Sequence, residues 1–587
     1  MRRLVVLPLA ALVAALLVPM ASAQEEDDSV TLRVGLTQDW EVINPTSMYT
    51  VPAYEVANLH YATLTDKAAD DFATIPGLAE SWEENEAGVD YTYTLREGLT
   101  WSDGEPLTAE DVAWNINTAR EQTPGWDTAI STVANIEATV IDERTVQLVS
   151  SVPDPKLPTM DIYLVPQHVW EPIATDYDAT SQYPADDGVG SGPFVITEFT
   201  PAQSVVMDAF PGYWGWEGEE PPYDRVIFRY FENPDAMVAA LQQGEIDAAH
   251  GFPPNAWDTL EAEEGIEVVA GQQGGFDEIA INGGAAEGQP HPALLDVNVR
   301  RAISHAVDRE AVIEDLWFGH AASLETVSPS ADPKWIPEIP EENQLGHDVE
   351  RANQLLDEGG YMDTDGDGVR EMPDGSNPII IRHAVNTDGD LAGPIGDLMV
   401  GWMESIGIGV TLEAYDQDAL FGVIVDGTYD TFFWGWVPFV DPDPMLSYFT
   451  EAELGNANDA NWFDPAYDEM YAAQNQEVDP EARLEIVHEM LTLFHDAAVY
   501  IPMYLGPDLQ AYRTDTFEGY LKQPADVGPV IFTNTSPSYV QLTPVGGEGG
   551  SGSGTNWLLW GGIAAVVVVL AGIFLARRNS TSADERE

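Results

Sequence analysis

The chain has 587 residues, with 100 Asp and Glu against 23 Lys and Arg, for a net charge of −77. Such a surface repels nucleic acid and anionic lipid headgroups, so neither is expected as a partner. Cysteine is absent, which excludes disulfides, thiol catalysis, Cys-based zinc sites and a lipidated-cysteine anchor.

A chain this long exceeds one ordinary core, so two or three lobes are expected. Its 44% hydrophobic content, with 10% aromatics, suits globular packing and argues against disorder. The acid excess is spread along the whole chain. That spread favours adaptation to high external salt, which screens self-repulsion, over the other reading, long-range attraction of cationic ligands.

Met1 to Ala23 reads as a secretory signal. Arg2 and Arg3 form the charged start, Leu4 to Val18 the apolar run, and Ala21-Ser22-Ala23 the cleavage site. Val30 to Leu36 then reads as a strand with Leu32, Val34 and Leu36 on one face. Tyr91, Tyr93 and Leu95 alternate with polar residues, the period of a half-buried strand. Ser102-Asp103-Gly104 turns the chain, and Thr108 with Asp111 predicts a capping box opening a helix. Ile136 to Val149 reads as a hairpin turning at Asp142-Glu143. Asn233-Pro234 starts a helix through a capping side chain and a proline at the first helical position, and Gly244 ends it. Val299, Ile303, Ala306 and Val307 mark one face of a further helix, after which Asp308 caps the next.

At the far end, residues 546–556 form a Gly/Ser-rich linker, followed by the uncharged stretch Trp557 to Ala576. Twenty residues at about 1.5 Å each suffice to cross a hydrocarbon core of about 30 Å. With Arg577 and Arg578 beyond it, the expectation is a C-terminal transmembrane helix tethering the protein on the extracytoplasmic face, with 577–587 as a cytoplasmic tail.

Four well-separated strings carry a family resemblance. They are LAESW followed by YTYTLREGLTWSDGEPLTAEDV (from Leu78), GSGPF (Gly190–Phe194), NPDAMVAALQQGEID (from Asn233) and VRRAISHAVDREAVI (Val299–Ile313). Together they resemble family 5 solute-binding proteins, the extracytoplasmic receptors of ABC importers for peptides, nickel and oligosaccharides. The resemblance implies an α/β, two-lobed, periplasmic-binding-protein-like clamshell with an additional domain. Residues 30–62, 188–282 and 506–545 would form the first lobe's core, 63–187 its additional domain and 283–505 the second lobe. The hinge would fall near Asn282 and Gly506. It also implies capture of an oligopeptide or similar small solute by a monomer that hands it to permease subunits. An oligosaccharide receptor or a cell-surface glycan-binding module is the alternative, supported by seventeen tryptophans.

The same resemblance places ligand contacts at Trp40, Asn44, His250, Phe252, Gly275, Phe276, Trp434, Gly435, Trp436, Phe439 and Asp441. In the aromatic run from Phe432 to Phe439, a glycine between tryptophans lets backbone approach a ligand closely, while the rings stack on it. Phe432 and Trp434 fit strand packing; Trp436 and Phe439 are the better ligand contacts. Peptide-binding relatives often carry an aspartate here that pairs with the peptide amine. That place is Phe439, so either Asp441 takes the role through a shifted loop or the ligand lacks a free amine.

The loop from Asp363 to Asp374 resembles a calcium loop. Asp363, Asp365, Asp367 and Asp374 would supply hard oxygen ligands to a structural calcium, with a metal-free surface hairpin as the other reading. No cofactor is required by either. The histidines show no paired metal spacing, and no GxSxG, phosphate-binding loop or dinucleotide fingerprint is present, so a binding protein is expected rather than an enzyme.

Overall fold

The computed structural model describes residues 29–40, 43–45, 48, 50–121, 133–160, 162–174, 188–285, 290–387, 391–436, 440–531, 533 and 535–546. Its organising strands, in chain order, are β1 (Thr31–Leu36), β2 (Thr65–Lys67), β3 (Thr74–Pro76), β4 (Ala79–Glu86), β5 (Asp90–Leu95), β6 (Ile136–Asp142), β7 (Thr145–Ser150) and β8 (Phe194–Thr200). They continue with β9 (Ser204–Ala209), β10 (Arg225–Tyr230), β11 (Ala248–His250), β12 (Ile266–Ile281), β13 (Ile380–Asn386), β14 (Gly409–Tyr415), β15 (Thr431–Trp436) and β16 (Tyr500–Arg513). Residues Thr31–Thr543 form one compact unit; the other unit, built from the two chain ends, lies almost wholly outside the described residues.

Ten strands make one sheet in the order β14-β13-β15-β12-β16-β11-β1-β10-β9-β8. Its continuity rests on β12 and β16, which pair antiparallel from Ile266↔Arg513 to Ala280↔Tyr500. Their register shifts between Gln272 and Phe276, opposite Leu505 to Pro507, and there the sheet passes from one lobe to the other. Gly274 takes φ +82° at this crossing, and a Cβ on it would stand 2.5 Å from the Ser330 carbonyl oxygen, so only glycine fits. Asn282 lies beyond the crossing, inside the second lobe, where its buried amide donates to the carbonyls of Gly427 and Tyr429 at 3.0 Å each.

Helices pack on both faces of the second lobe's half-sheet, so β12, β13 and β15 each feed two apolar cores, while the edge strand β14 buries none of its residues. Along β12, Ile279 and Ile281 enter one core with Tyr504, while Phe276 and Ala280 enter the other with Tyr500. The added domain is the four-stranded antiparallel sheet β4-β5-β7-β6, packed on the helix Ala109–Arg120. That helix opens as the sequence predicts. The Thr108 hydroxyl accepts from Glu110 N–H at 3.2 Å, and Asp111 accepts from Thr108 N–H at 2.9 Å.

One expectation is corrected. Among the described residues no helix is long and apolar enough to cross a membrane. The stretch 557–576, the linker before it, the tail and the segment 1–23 lie outside the described residues. Among the described residues the fold is a two-lobed α/β architecture with no transmembrane helix, and it gives no support to the tethered localisation inferred from that helix.

Candidate ligand-binding cleft

Between the added domain and the second lobe lies a cavity of about 610 Å³. One wall is the segment that leaves β7, with Val152, Asp154 and Lys156. The other comes from the helix Asp443–Ser447, the loop at Glu453 to Ala457, and the end of the helix Pro465–Gln474. Pro444 at the second position of the first helix and Pro465 at the first position of the second favour their starts, and Asp464 caps the second by accepting from Ala466 N–H at 2.8 Å.

The two walls meet through charge. Lys156 Nζ stands 2.6 Å from Asp443 Oδ2, with both side chains largely buried. Burial alone would lower the Lys156 pKa, but the charges of Asp443 and Asp154 outweigh it and hold the ammonium above its usual value. Asp443 Oδ1 accepts from Gln474 at 3.1 Å, and the Gln474 carbonyl accepts from Arg483 Nε at 3.0 Å. Arg483 then grips Asp441 with two N–H···O bonds of 2.8 Å each. Burial would raise the Asp441 pKa, yet Arg483 overcomes it and holds the carboxyl at about 2. Apolar contacts close the lobes beside this network: Phe72 of the added domain packs with Ala331 and Val440, and Val478 occupies the space where a Cβ on Gly88 would stand.

The residues named from sequence fall into separate groups. Gly275, Phe276, Trp434, Gly435 and Trp436 come together on neighbouring strands, with Phe276↔Trp436 and Asp277↔Gly435 in register. A Cβ on Gly435 would lie 2.1 Å from Asp277 Oδ1, so this glycine makes room for a carboxylate of its own lobe. Phe276 is in the core. Trp436 stacks on Tyr448 at 4.9 Å and 29°, and Tyr448 lines the cavity. Asp441 stands behind the same wall, its carboxylate engaged by Arg483.

Trp40 and Asn44 are buried in the first lobe, where the Trp40 carbonyl accepts from Thr50 Oγ1 at 3.0 Å. Phe252 packs into that lobe's core against Trp257. His250 is buried between Asp508 (2.9 Å) and Glu55 (3.4 Å); burial would lower its pKa, but the two carboxylates drive it well above the usual histidine range. Phe439 lies outside the described residues.

Sequence reasoning missed Asp154, Lys156, Asp443, Tyr448 and Tyr471, which line the cavity. Lys156 carried a faint signal, as one of only four lysines in the chain. It also missed an acidic pair beneath Trp436. Glu278 is 0% exposed, and neither of its carboxyl oxygens has a hydrogen-bond partner. Burial, then the charges of Asp459 and Asp277, push its pKa well above the usual carboxylate range. Burial raises Asp459 too, against the hydrogen bond it accepts from the Tyr500 hydroxyl.

In the acidic loop, Asp363, Asp365, Asp367 and Glu371 place carboxylate oxygens within 4.8 Å of one another. Asp374 stands outside this group, because its carboxylate accepts from Ser376 N–H at 2.9 Å. The loop also satisfies its acids internally: Asp363 accepts from the amides of Gly366 (2.7 Å) and Gly368 (3.0 Å), and Asp367 from Val369 at 2.8 Å.

Two α/β lobes joined by two crossing strands, with a cavity between the added domain and the second lobe, are the architecture of the solute-binding fold. Comparison with known proteins agrees. The family model "Bacterial extracellular solute-binding proteins, family 5 Middle" matches residues 73–456, and the chain belongs to this family. A putative ABC transporter peptide-binding protein of Brucella ovis is 28% identical over 363 residues, covering 60% of this chain and 63% of that protein. The match thus spans just under two thirds of that relative's length. The nickel-binding periplasmic protein of Escherichia coli is 25% identical over 509 residues, covering 80% of this chain and 88% of its own. Among solved structures, the oligopeptide-binding protein AppA of Bacillus subtilis, in complex with a nonapeptide, aligns with a TM-score of 0.71 at 19% identity. That alignment covers 88% of this chain and 98% of AppA, and it establishes the fold.

Proposed function

We propose that this chain is the substrate-binding receptor of an ABC importer, closing its two lobes over an oligopeptide or similar small solute. The observation that carries the reading is the cavity of about 610 Å³ whose opposite walls come from different domains. A ligand touching both walls has differential affinity for the closed arrangement and draws the population toward it. The volume lies within the usual span of small-ligand sites, about 300–1,000 Å³. Peptide is preferred over glycan because several relatives are named as peptide-, oligopeptide- or dipeptide-binding. Binding and release account for the role without covalent chemistry.

Thermal-shift screening tests this directly. A solute at a hundred times its Kd stabilises the bound state by about 2.7 kcal/mol. Tripeptides are expected to raise the melting temperature, and small-angle scattering on the same samples should show contraction. A response to maltotriose and not to tripeptides would transfer the assignment to glycan binding. No response to either would refute the receptor reading.

A further inference from the structure

Charge at the cavity wall is unevenly distributed. Among its described lining residues Lys156 is the only cation, and its ammonium is already committed to Asp443 at 2.6 Å. The second Asp443 oxygen accepts from Gln474, so this pair is complete within the protein. Asp154 and Glu453 are the two further carboxylates of the lining, and the Asp154 charge also acts on Lys156. Asp154 is only 6% exposed and uses Oδ1 to accept the Lys156 backbone N–H at 2.9 Å. Glu453, on the opposite lobe, uses Oε2 to accept from Asn456 at 2.7 Å. Tyr448 and Tyr471 add aromatic surface to the lining.

We propose that the cavity takes a solute carrying a positive charge, with Asp154 on the added domain and Glu453 on the second lobe as its counter-charges. Two carboxylates beside tyrosine rings in a half-enclosed space favour an ammonium or guanidinium, through charge-assisted hydrogen bonds and ring-face attraction. An anionic solute meets the opposite situation. It must either displace Asp443 from Lys156 or sit against two carboxylates where water screens them poorly. The inference rests on the receptor reading and assigns that receptor a ligand charge. It also relocates charge recognition: the Asp441 carboxylate is held by Arg483, so the counter-charges come from two other segments, on opposite lobes.

The test is calorimetric titration at pH 7.5 and 0.15 M salt with three tripeptides of one size: alanyl-lysyl-alanine, alanyl-glutaminyl-alanine and alanyl-glutamyl-alanine. The lysyl peptide is expected to bind at least tenfold tighter than the glutamyl one. Asp154→Asn and Glu453→Gln should each shrink that ratio severalfold with little change for the glutaminyl peptide. Asp443→Asn should release Lys156 and tighten the glutamyl peptide. Glu453 is half-buried at the rim, so its variant tests the idea even if Asp154→Asn folds poorly. Equal affinities for the three peptides, or a ratio unchanged in both acid variants, would overturn the charge assignment and leave the receptor intact. Absence of binding by all three would overturn the peptide-receptor reading and this inference together.

Discussion

Replacing Glu278 with Gln should stabilise this protein at neutral pH and do little at acid pH. Glu278 is fully buried, both its oxygens lack partners, and Asp459 adds a second acid to the same core. Its folded-state pKa therefore lies above that of the unfolded chain. As pH rises past the ordinary carboxylate value, the unfolded chain releases its proton while the folded one retains it. Stability is then lost upward from about pH 4 until the folded-state pKa is passed, the reverse of a salt-bridged carboxylate. The unfolded chain releases one more proton than the folded one over that range, so stability falls by at most about 1.4 kcal/mol for each pH unit.

Glutamine keeps the volume and removes the titration. A unit of about 500 residues has an unfolding entropy near 1 kcal/mol/K, so the gain over wild type should grow by up to about 1 °C for each pH unit above pH 4. Scanning calorimetry of both proteins from pH 4.5 to 8.5 reads it. The background of −77 charges is nearly common to both, so it cancels in the difference. A difference in melting temperature that stays flat or falls toward alkaline pH would refute the buried-acid account.

Four other outcomes follow from the cleft. Lys156→Met leaves Asp443 buried without its cation and should cost about 3–5 kcal/mol, most of it recovered in the double variant with Asp443→Leu, as urea titration would show. Trp436→Ala removes the stacking partner of Tyr448 and should weaken peptide binding by about 1–3 kcal/mol, read by calorimetry. Asp441 is held at about 2, below its unfolded value. Its contribution of about 2–3 kcal/mol is thus present above pH 4 and lost as pH falls toward 2, and Asp441→Asn should flatten that acid limb of the stability curve. Because that carboxylate is engaged by Arg483, the variant should affect free and amino-acetylated tripeptides alike in the same titrations.

What was legible in the sequence is what sequence neighbours decide. The Thr108–Asp111 box, the Asn233 cap and the Asp308 cap each join groups two or three residues apart, and all three open the helices foreseen. Strand β15 coincides with the aromatic run up to Trp436 because Thr431 to Trp436 suits a strand packed on two faces. The cavity escaped notice for the opposite reason. Lys156 and Asp443 are 287 positions apart, and Asp441 meets Arg483 across 42. Glu278 was hidden differently: among a hundred acids a single one carries no signal, and only its place on β12, facing the same side as Phe276 and Ala280, buries it. In the acidic loop, Asp374 turns back on Ser376 while Glu371 joins Asp363, Asp365 and Asp367.

The ion pair across the cleft also bears on how closure is controlled. When the lobes part, Lys156 and Asp443 regain water; when they close, they exchange it for a contact of 2.6 Å in a largely buried setting. For such pairs the attraction roughly balances the desolvation, so Lys156–Asp443 does little to hold the lobes shut. It acts instead on orientation, since an unmatched closure would bury two isolated charges at a cost of several kcal/mol. The ligand is left to set the balance between open and closed. Moving the population from 1:99 to 99:1 takes about 5.5 kcal/mol of differential affinity. A solute bearing one positive group, facing Asp154 on one wall and Glu453 on the other, gains part of that energy only when both walls are present, which is the condition for coupling capture to closure.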